Sequence, residues 1–211
     1  MSIVTVVGNP RTGSRTYGAA VAVAGAIADR LGGHLGFTGG GAGHQGLGGG
    51  AESLGFGGEA SRFGGGALGR GGGVEHQAEV VDLSALAPVI LDPGPHAALE
   101  VALELVASAS VVVFASPTYK ATYTGLLKAF VDRFPPDALA GKTALPVLVM
   151  GDPRHALAVE THFRPLLVEL GAHVPSPGLA LLESELPGED VIARWADRVG
   201  PQIVTREEAL R

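Results

Sequence analysis

The 211-residue sequence contains no cysteine. Thiol nucleophiles, disulfide bonds and thiolate metal sites are therefore excluded. The sequence also lacks a basic surplus, because 15 lysines and arginines stand against 21 acidic residues and the net charge is −6. Proteins that bind nucleic acid usually present a basic face, so the charge balance argues against a nucleic-acid partner.

Long apolar runs are missing too. No segment reaches the roughly 20 apolar residues that a membrane-spanning helix needs. The apolar stretch AAVAVAGAIA at 19–28 follows two arginines, but a strand-like segment and a Gly/Pro turn precede it. That order does not fit a signal peptide. We therefore expect a cytoplasmic protein with no membrane partner.

Several catalytic motifs are absent. The sequence has no G-x-S-x-G hydrolase motif. It shows no cluster of His, Asp and Glu with metal-ligand spacing, so no metal site is expected. His155 stands at the start of a predicted helix, where a structural role is the simpler interpretation.

What the sequence does contain is an alternation of strands and helices. Apolar or β-branched runs predict strands at 3–7, 78–83, 111–115, 144–150 and 174–182. Helical patterns fall at 17–31, 96–107, 125–134, 155–171 and 189–200. The alternation predicts right-handed βαβ units. The fold class is therefore α/β, a flavodoxin-like three-layer sandwich with a five-stranded parallel sheet in the order 2-1-3-4-5, which binds ligands at the carboxyl ends of its strands.

Glycine is concentrated in one window, since residues 32–73 hold 21 of the 33 glycines. Few large side chains are present there to offset the backbone entropy lost on ordering. We interpret 34–75 as a flexible insertion in a flavodoxin-like domain that spans 1–200, followed by a C-terminal tail at 201–211. A glycine-rich phosphate cradle is the alternative, but such cradles are short and lie between a strand and a helix.

The nine residues GNPRTGSRT at 8–16 lead from the first strand into the first helix. Gly8 and Gly13 have the separation of the phosphate-binding motif G-x-x-x-x-G-K-[ST], but Ser14 stands where that motif has lysine. The loop therefore lacks the charge that grips a nucleoside triphosphate. The turn also lacks the dinucleotide pattern G-x-G-x-x-G.

The same helix entrance still suits a smaller anion. Hydroxyl groups, free backbone N–H groups and the positive end of the helix dipole can together bind a monophosphate. Arg11 and Arg15 can add charge-assisted hydrogen bonds. The alternative, which the sequence leaves open, is that Ser14 or Thr16 only caps the helix.

A second stretch, ASPTYKATYTGLLKAF at 115–130, follows the third predicted strand and so lies at the same end of the sheet. Pro117 and Thr118 turn the chain there. Tyr119 offers a flat face and Lys120 a cation, so the loop can hold the edge of a flat heterocycle. In the alternative interpretation, Tyr119 belongs to the core and Lys120 is simply solvated.

Taken together, VVGNPRTGSRT, ASPTYKATYTGLLKAFVD, LAGKTALPVLVMG and HALAVETHFRPLLVELGA resemble the NAD(P)H-dependent FMN reductase family. The likeness is strongest to the reductases of two-component alkanesulfonate monooxygenase systems. It covers most of residues 1–199 apart from the glycine-rich window, and the SPTYKATYTGLLK stretch is its most specific part.

The resemblance implies roles for individual residues. The positions that match the FMN phosphate site are Arg11, Ser14 and Thr16, with Arg15 between them. The positions that match the loop along the ribityl chain and the isoalloxazine ring are Pro117, Thr118, Tyr119 and Lys120, the last with a possible electrostatic role toward reduced flavin. Tyr123 matches an aromatic residue that, in the alkanesulfonate branch, lies in a π-helical turn at a subunit interface, unless it is an ordinary helix residue.

One segment departs from the family pattern. Family members often have a Thr-Gly-Gly turn after the fourth strand, where backbone N–H groups face the flavin pyrimidine edge. Here the sequence is VMGDPRH, and only Gly151 matches. Asp152 would repel the negative charge of reduced flavin unless it points away or pairs with Arg154.

The function implied by the resemblance is hydride transfer from NADPH or NADH to N5 of FMN. The reduced FMN would pass to a flavin-dependent monooxygenase, and the protein would form a homodimer or homotetramer. Two alternatives stay open, a quinone or azo reductase with tightly bound FMN and a flavodoxin-type electron carrier without enzymatic activity. A flavin-free scaffold is a further alternative, because of the VMGD segment.

Overall fold

Residues 1–37 and 74–203 are described by the computed structural model. Six parallel strands form one sheet in the order β2-β3-β1-β4-β5-β6. The strands are β1 (Ile3–Val7), β2 (Gly33–Phe37), β3 (Val74–Asp82), β4 (Val111–Pro117), β5 (Thr143–Met150) and β6 (Leu179–Leu182). Because all six run in the same direction, their carboxyl ends share one edge of the sheet.

Helices cover both faces of the sheet. The α-helices are α1 (Arg15–Arg30), α2 (Leu83–Leu86), α3 (Ala97–Ser108), α4 (Gly125–Val131), α5 (Arg164–Glu169) and α6 (Glu189–Val199). A π-helix (Val159–Phe163) leads directly into α5, and 3-10 turns occupy Pro153–His155, Glu183–Glu185 and Gly200–Gln202. Within the ranges given above, no helix is both long enough and apolar enough to cross a membrane.

The core consists of two apolar layers separated by the sheet. Side chains alternate along β4, so that Val113 packs with α1 and α6 while Phe114 packs with the opposite helices. All residues of β1, β4 and β5 are buried, as expected for strands covered on both faces. The largest buried side chain of α6 is Trp195, whose Nε1 donates to the Pro177 carbonyl at 2.8 Å.

The α/β, flavodoxin-like fold predicted from the sequence is confirmed. The five predicted strands correspond to β1, β3, β4, β5 and β6, and their order in the sheet is the predicted 2-1-3-4-5. Strand β2 was not predicted; it extends the sheet at its outer edge by pairing with β3. Glycine lowers strand propensity, so the GHLGF sequence of β2 gives little sign of a strand.

The two ends of the expected glycine-rich insertion are strands, because β2 covers 33–37 and β3 begins at Val74. Residues 38–73, the bulk of that expected insertion, lie outside the described residues. So do residues 204–211, most of the expected tail.

The predicted helix at 155–171 takes a different form. Its first turns contain the π-helix, and α5 starts only at Arg164, immediately before Pro165. A proline has no N–H group to donate within the helix and its ring crowds the preceding turn. The predicted helix is therefore divided into the π-helix and the short helix α5.

Candidate functional site

The loop after β1 is fixed by a buried asparagine. Asn9 accepts from the Arg11 N–H at 3.0 Å through Oδ1 and donates to the Thr16 hydroxyl at 3.2 Å through Nδ2. Because Oδ1 is engaged by a backbone donor, the amide orientation is defined. The hydroxyl oxygen of Thr16 accepts this bond, which leaves its own proton available to a ligand.

The first turn of α1 presents free backbone donors at this loop. Ser14 is the N-cap, and its hydroxyl oxygen accepts from the Tyr17 N–H at 3.2 Å. The N–H groups of the helical residues before Tyr17 have no acceptor within the helix. Gly13 has a φ of +63°, a left-handed conformation that favours glycine. The loop thus turns sharply and aims its N–H groups outward.

The loop after β4 is a tight turn. The Tyr119 N–H donates to the Thr122 carbonyl at 2.8 Å, and the two residues between have positive φ angles, 52° at Lys120 and 69° at Ala121. Left-handed conformations cost non-glycine residues about 1–2 kcal/mol each. Such conformations persist where the surrounding structure fixes them, often at functional sites.

Thr118 ties this turn to β5. Its N–H donates to the Val149 carbonyl at 2.8 Å, and its hydroxyl donates to the same oxygen at 3.3 Å. The turn after β4 is therefore held against the end of the neighbouring strand.

Thr124 joins the two loops. Its buried hydroxyl donates to the Gly8 carbonyl at 2.6 Å and accepts from the Leu127 N–H at 3.1 Å, so it caps α4 and holds the end of β1 with one oxygen. A Cβ atom at Gly8 would lie 2.7 Å from Cβ of Leu127. Only glycine permits this close approach of the two segments.

A cavity of about 480 Å³ lies between these loops at the carboxyl ends of β1, β4 and β5. Its lining residues are Asn9, Arg11, Thr12, Gly13, Ser14, Arg15, Thr16, Pro117, Thr118, Tyr119, Val149, Gly151 and Glu183. The side facing α1 is rich in hydroxyl and guanidinium groups. Tyr119, which is 43% exposed, lies on the other side.

The two arginines of the cavity have different surroundings. Arg15 forms an ion pair with Glu183, with 2.9 Å between Nη2 and Oε1. For the Arg11 guanidinium, no partner is found in the part of the chain that the structure describes. Among the described residues, the cavity therefore has one arginine engaged by a carboxylate and one whose guanidinium has no partner.

Asp152 pairs with Arg154, one of the two arrangements that the sequence left open for its carboxylate. Its carboxylate accepts from Arg154 Nε at 3.0 Å and Nη2 at 2.6 Å, and from the Arg154 N–H at 2.9 Å. The hydrogen bonds from the Arg154 side chain and backbone lower the pKa of Asp152 from 3.8 to about 2. The carboxylate charge is thus compensated beside Gly151, which lines the cavity.

Eight of the residues predicted from the sequence meet in the cavity. They are Arg11, Ser14, Arg15, Thr16, Pro117, Thr118, Tyr119 and Gly151. Ser14 both caps the helix and lines the cavity, so the two interpretations of that residue are compatible. Lys120 is exposed in the tight turn and is not among the lining residues.

The expected place of Tyr123 in a π-helical turn is wrong. Tyr123 precedes α4, whose N-cap is Thr124, and the π-helix lies in the segment that faces it. The Tyr123 ring contacts Phe163 at the end of that π-helix, with 5.4 Å between ring centroids. Thr124 caps α4, which begins at Gly125, so Tyr123 lies before the first helical residue. Its role at a subunit interface stays a prediction.

Three residues that shape the site were not predicted from the sequence: Thr124, described above, Asn9 and Glu183. Asn9 follows the first strand in a Gly-Asn-Pro turn, and asparagine commonly bonds the backbone two residues further on in such turns, so a signal was present. Glu183 follows β6 at the far end of the chain. Nothing in the local sequence indicates that it reaches Arg15.

A family model described as NADPH-dependent FMN reductase matches residues 60–185 of the chain. The chain belongs to this family. The resemblance predicted from the sequence motifs is thereby confirmed at the family level.

Individual relatives of the FMN reductase family match shorter regions. The chain is 36% identical over 83 residues to FMN reductase (NADPH) of Pseudomonas putida, covering 39% of this chain and 42% of that one. It is 31% identical over 105 residues to NADH-dependent FMN reductase SfnF of the same species, covering 49% and 56%. The matched part of the chain thus spans about half the length of these two relatives.

The similarity of structure extends further along the chain. A crystal structure of an NADH:FMN oxidoreductase aligns with 96% of this chain and 89% of its own, with a TM-score of 0.67 and 25% identity. The flavodoxin-like family fold is therefore shared over nearly the whole described chain.

Proposed function

We propose that the protein is an NAD(P)H-dependent FMN reductase that binds FMN in the cavity at the carboxyl ends of β1, β4 and β5. One observation carries the proposal. Hydrogen-bond donors suited to a phosphate, from the loop after β1, line the same cavity as a flat aromatic side chain from the loop after β4. Membership of the FMN reductase family supports the same ligand.

The donor set suits the flavin phosphate. Arg11 supplies a guanidinium, Thr12 and Ser14 supply hydroxyls, and the first turn of α1 supplies unpaired N–H groups beside its positive dipole end. No acidic side chain lies in the loop 8–16 itself. The phosphate would bind here, with the Thr16 hydroxyl as an additional donor.

The opposite side suits the ring system. Pro117 and Tyr119 offer apolar and aromatic surface, and Thr118 holds their turn against β5. At Gly151 an added Cβ would meet nothing within 4 Å, so the space above this backbone is open to a flat ring. Lys120 is close in sequence but exposed, and its effect on the flavin would be a long-range electrostatic one.

When bound, FMN supplies the redox chemistry by accepting a hydride from the nicotinamide at N5. The chain's residues bind and orient the reactants. The pairing of Asp152 with Arg154 removes an uncompensated negative charge from the side of the cavity where Gly151 lies. The two loops, joined through Thr124, hold phosphate and ring sites at a fixed separation.

The cavity is open and polar, which favours an exchangeable flavin. We propose that reduced FMN leaves and supplies a flavin-dependent monooxygenase, as in the two-component systems that the sequence resembles. A homodimer or homotetramer in the cytoplasm is the expected form of the enzyme. NADPH and NADH are both candidate hydride donors.

An anaerobic turnover experiment tests this function. The visible absorbance of excess free FMN is followed after addition of NADPH, or NADH, and a trace of protein. Catalytic bleaching of many FMN equivalents is expected. A protein that bleaches only its own bound flavin and then passes electrons to quinones would be the quinone or azo reductase. No bleaching at all would contradict a reductase of either kind and fit an electron carrier.

A further inference from the structure

Glu183 is an unexpected residue for an anion site. It follows directly after β6, lines the cavity and lies 2.9 Å from Arg15 through Oε1. Its carboxylate therefore pairs with one of the two guanidinium groups that line the part of the cavity proposed to bind the phosphate. An anion that enters this end meets a negative charge of the protein and an arginine that is already paired.

The ion pair contributes little to the fold. The side chains are 67% exposed at Arg15 and 42% exposed at Glu183. Exposed pairs of this kind typically add little or nothing measurable to the stability of a protein. We therefore look for the role of the pair in ligand binding at the cavity rather than in the stability of the fold.

We propose that Glu183 competes with the flavin phosphate for Arg15 and thereby sets how weakly the flavin is held. This inference rests on the proposed function. In the free protein, the Arg15 guanidinium is paired with the Glu183 carboxylate. In the complex, the guanidinium binds the phosphate instead, and the unpaired Glu183 carboxylate then lies beside the negatively charged phosphate. Both the lost ion pair and the repulsion oppose binding, so release of the flavin is favoured.

The competition affects only ligands that carry the phosphate. Riboflavin has the same ring and ribityl chain but no phosphate, so its binding leaves Arg15 and Glu183 paired. Glu183 is in this sense a specificity-determining residue, because it reduces the advantage of FMN over riboflavin. Salt screens exposed charges over about 10 Å at 0.1 M, so the effect is largest at low ionic strength.

The test compares Glu183→Gln with a matched control, Glu185→Gln. Both substitutions remove one negative charge from the same 3-10 turn, but Glu185 is not among the residues that line the cavity. Dissociation constants for FMN and riboflavin are measured by quenching of flavin fluorescence. We expect Glu183→Gln to bind FMN about three- to fivefold more tightly than the parent, in line with the free energies of exposed charge pairs. Riboflavin affinity and the control variant stay within about twofold of the parent.

A second background tests whether the effect passes through Arg15. In the Arg15→Ala protein, no guanidinium is present for Glu183 to pair with. We therefore expect Glu183→Gln to raise FMN affinity much less in this background than in the parent. An equal gain in both backgrounds would overturn the competition, and so would an unchanged FMN affinity in Glu183→Gln. A parent that binds FMN no better than riboflavin, and is indifferent to Arg11→Ala, would instead contradict the phosphate site itself.

Discussion

At the residue scale, Ser14 has two roles that substitutions can separate. Its hydroxyl caps α1 and also lines the cavity. Ser14→Ala should lower the stability by about 1 kcal/mol through loss of the cap and weaken FMN binding roughly tenfold through loss of a phosphate hydrogen bond.

Ser14→Asp distinguishes the two roles, because aspartate is an equally good N-cap but repels a phosphate. We expect thermal stability close to the parent and much weaker FMN binding, measured by thermal unfolding and fluorescence titration. If Ser14→Asp binds FMN as the parent does, Ser14 is only a helix cap and the phosphate lies elsewhere.

Asp152 provides a pH-dependent prediction. Its pairing with Arg154 favours the carboxylate, so the pKa in the folded protein is about 2, below the ordinary 3.8. The stabilisation from this pair is therefore fully present above about pH 3.8 and is lost as the pH falls through about 2. Carboxyl titration by NMR should give the low pKa in the parent and a higher pKa in Arg154→Ala, which loses the side-chain hydrogen bonds but keeps the backbone N–H donor of residue 154. The same pKa in both proteins would show that the pair does not persist in solution.

At the scale of secondary-structure elements, Thr124 is the connection on which the site depends. One buried hydroxyl holds the end of β1 and caps α4. Thr124→Val keeps the shape but removes both hydrogen bonds, which should lower stability by about 1–3 kcal/mol and weaken FMN binding as the loops separate.

Thr124→Ser is the matched control because it restores the hydroxyl. Thermal unfolding and FMN titration on the three proteins give the comparison. Equal stability and equal FMN affinity in Thr124→Val and in the parent would contradict a linking role for this residue.

The elements that could be predicted are those with a strong local signal. The β-branched runs of β1 and β4 identify buried parallel strands, and GNPRTGSRT and SPTYK identify both loops of the cavity. Strand β2 was missed because its GHLGF sequence has low strand propensity and forms only by pairing with β3. Glu183 and Thr124 were missed as site components because their partners, Arg15 and Gly8, are far away in the sequence. The π-helix lies just before Pro165 and not at Tyr123.

At the scale of the whole molecule, the glycine-rich segment is expected to be dispensable for folding. The deletion has to keep β2 and β3, which pair in register from Gly33 opposite Val74 to Phe37 opposite Ala78. A connection from Phe37 back to Val74 must span about four residues of strand, roughly 13 Å. A flexible linker of about ten residues, with a mean span of about 17 Å, can do so.

Replacing 38–73 with such a Gly/Ser linker should leave thermal stability and FMN affinity close to those of the parent. A linker of about two residues is the control, because it is too short to reach and should disrupt the β2–β3 pairing. If the ten-residue variant is insoluble or no longer binds flavin, the segment has a structural or binding role.

The proposed function requires that FMN binds in the cavity at the carboxyl ends of β1, β4 and β5. A crystal structure of the protein with FMN tests this most directly. We expect the phosphate at the N-terminus of α1, within hydrogen-bond distance of Ser14 and the Arg11 guanidinium. The ring should lie against Tyr119 with its edge toward Gly151. A flavin bound elsewhere on the protein, or one inverted so that the ring lies at α1, would contradict it.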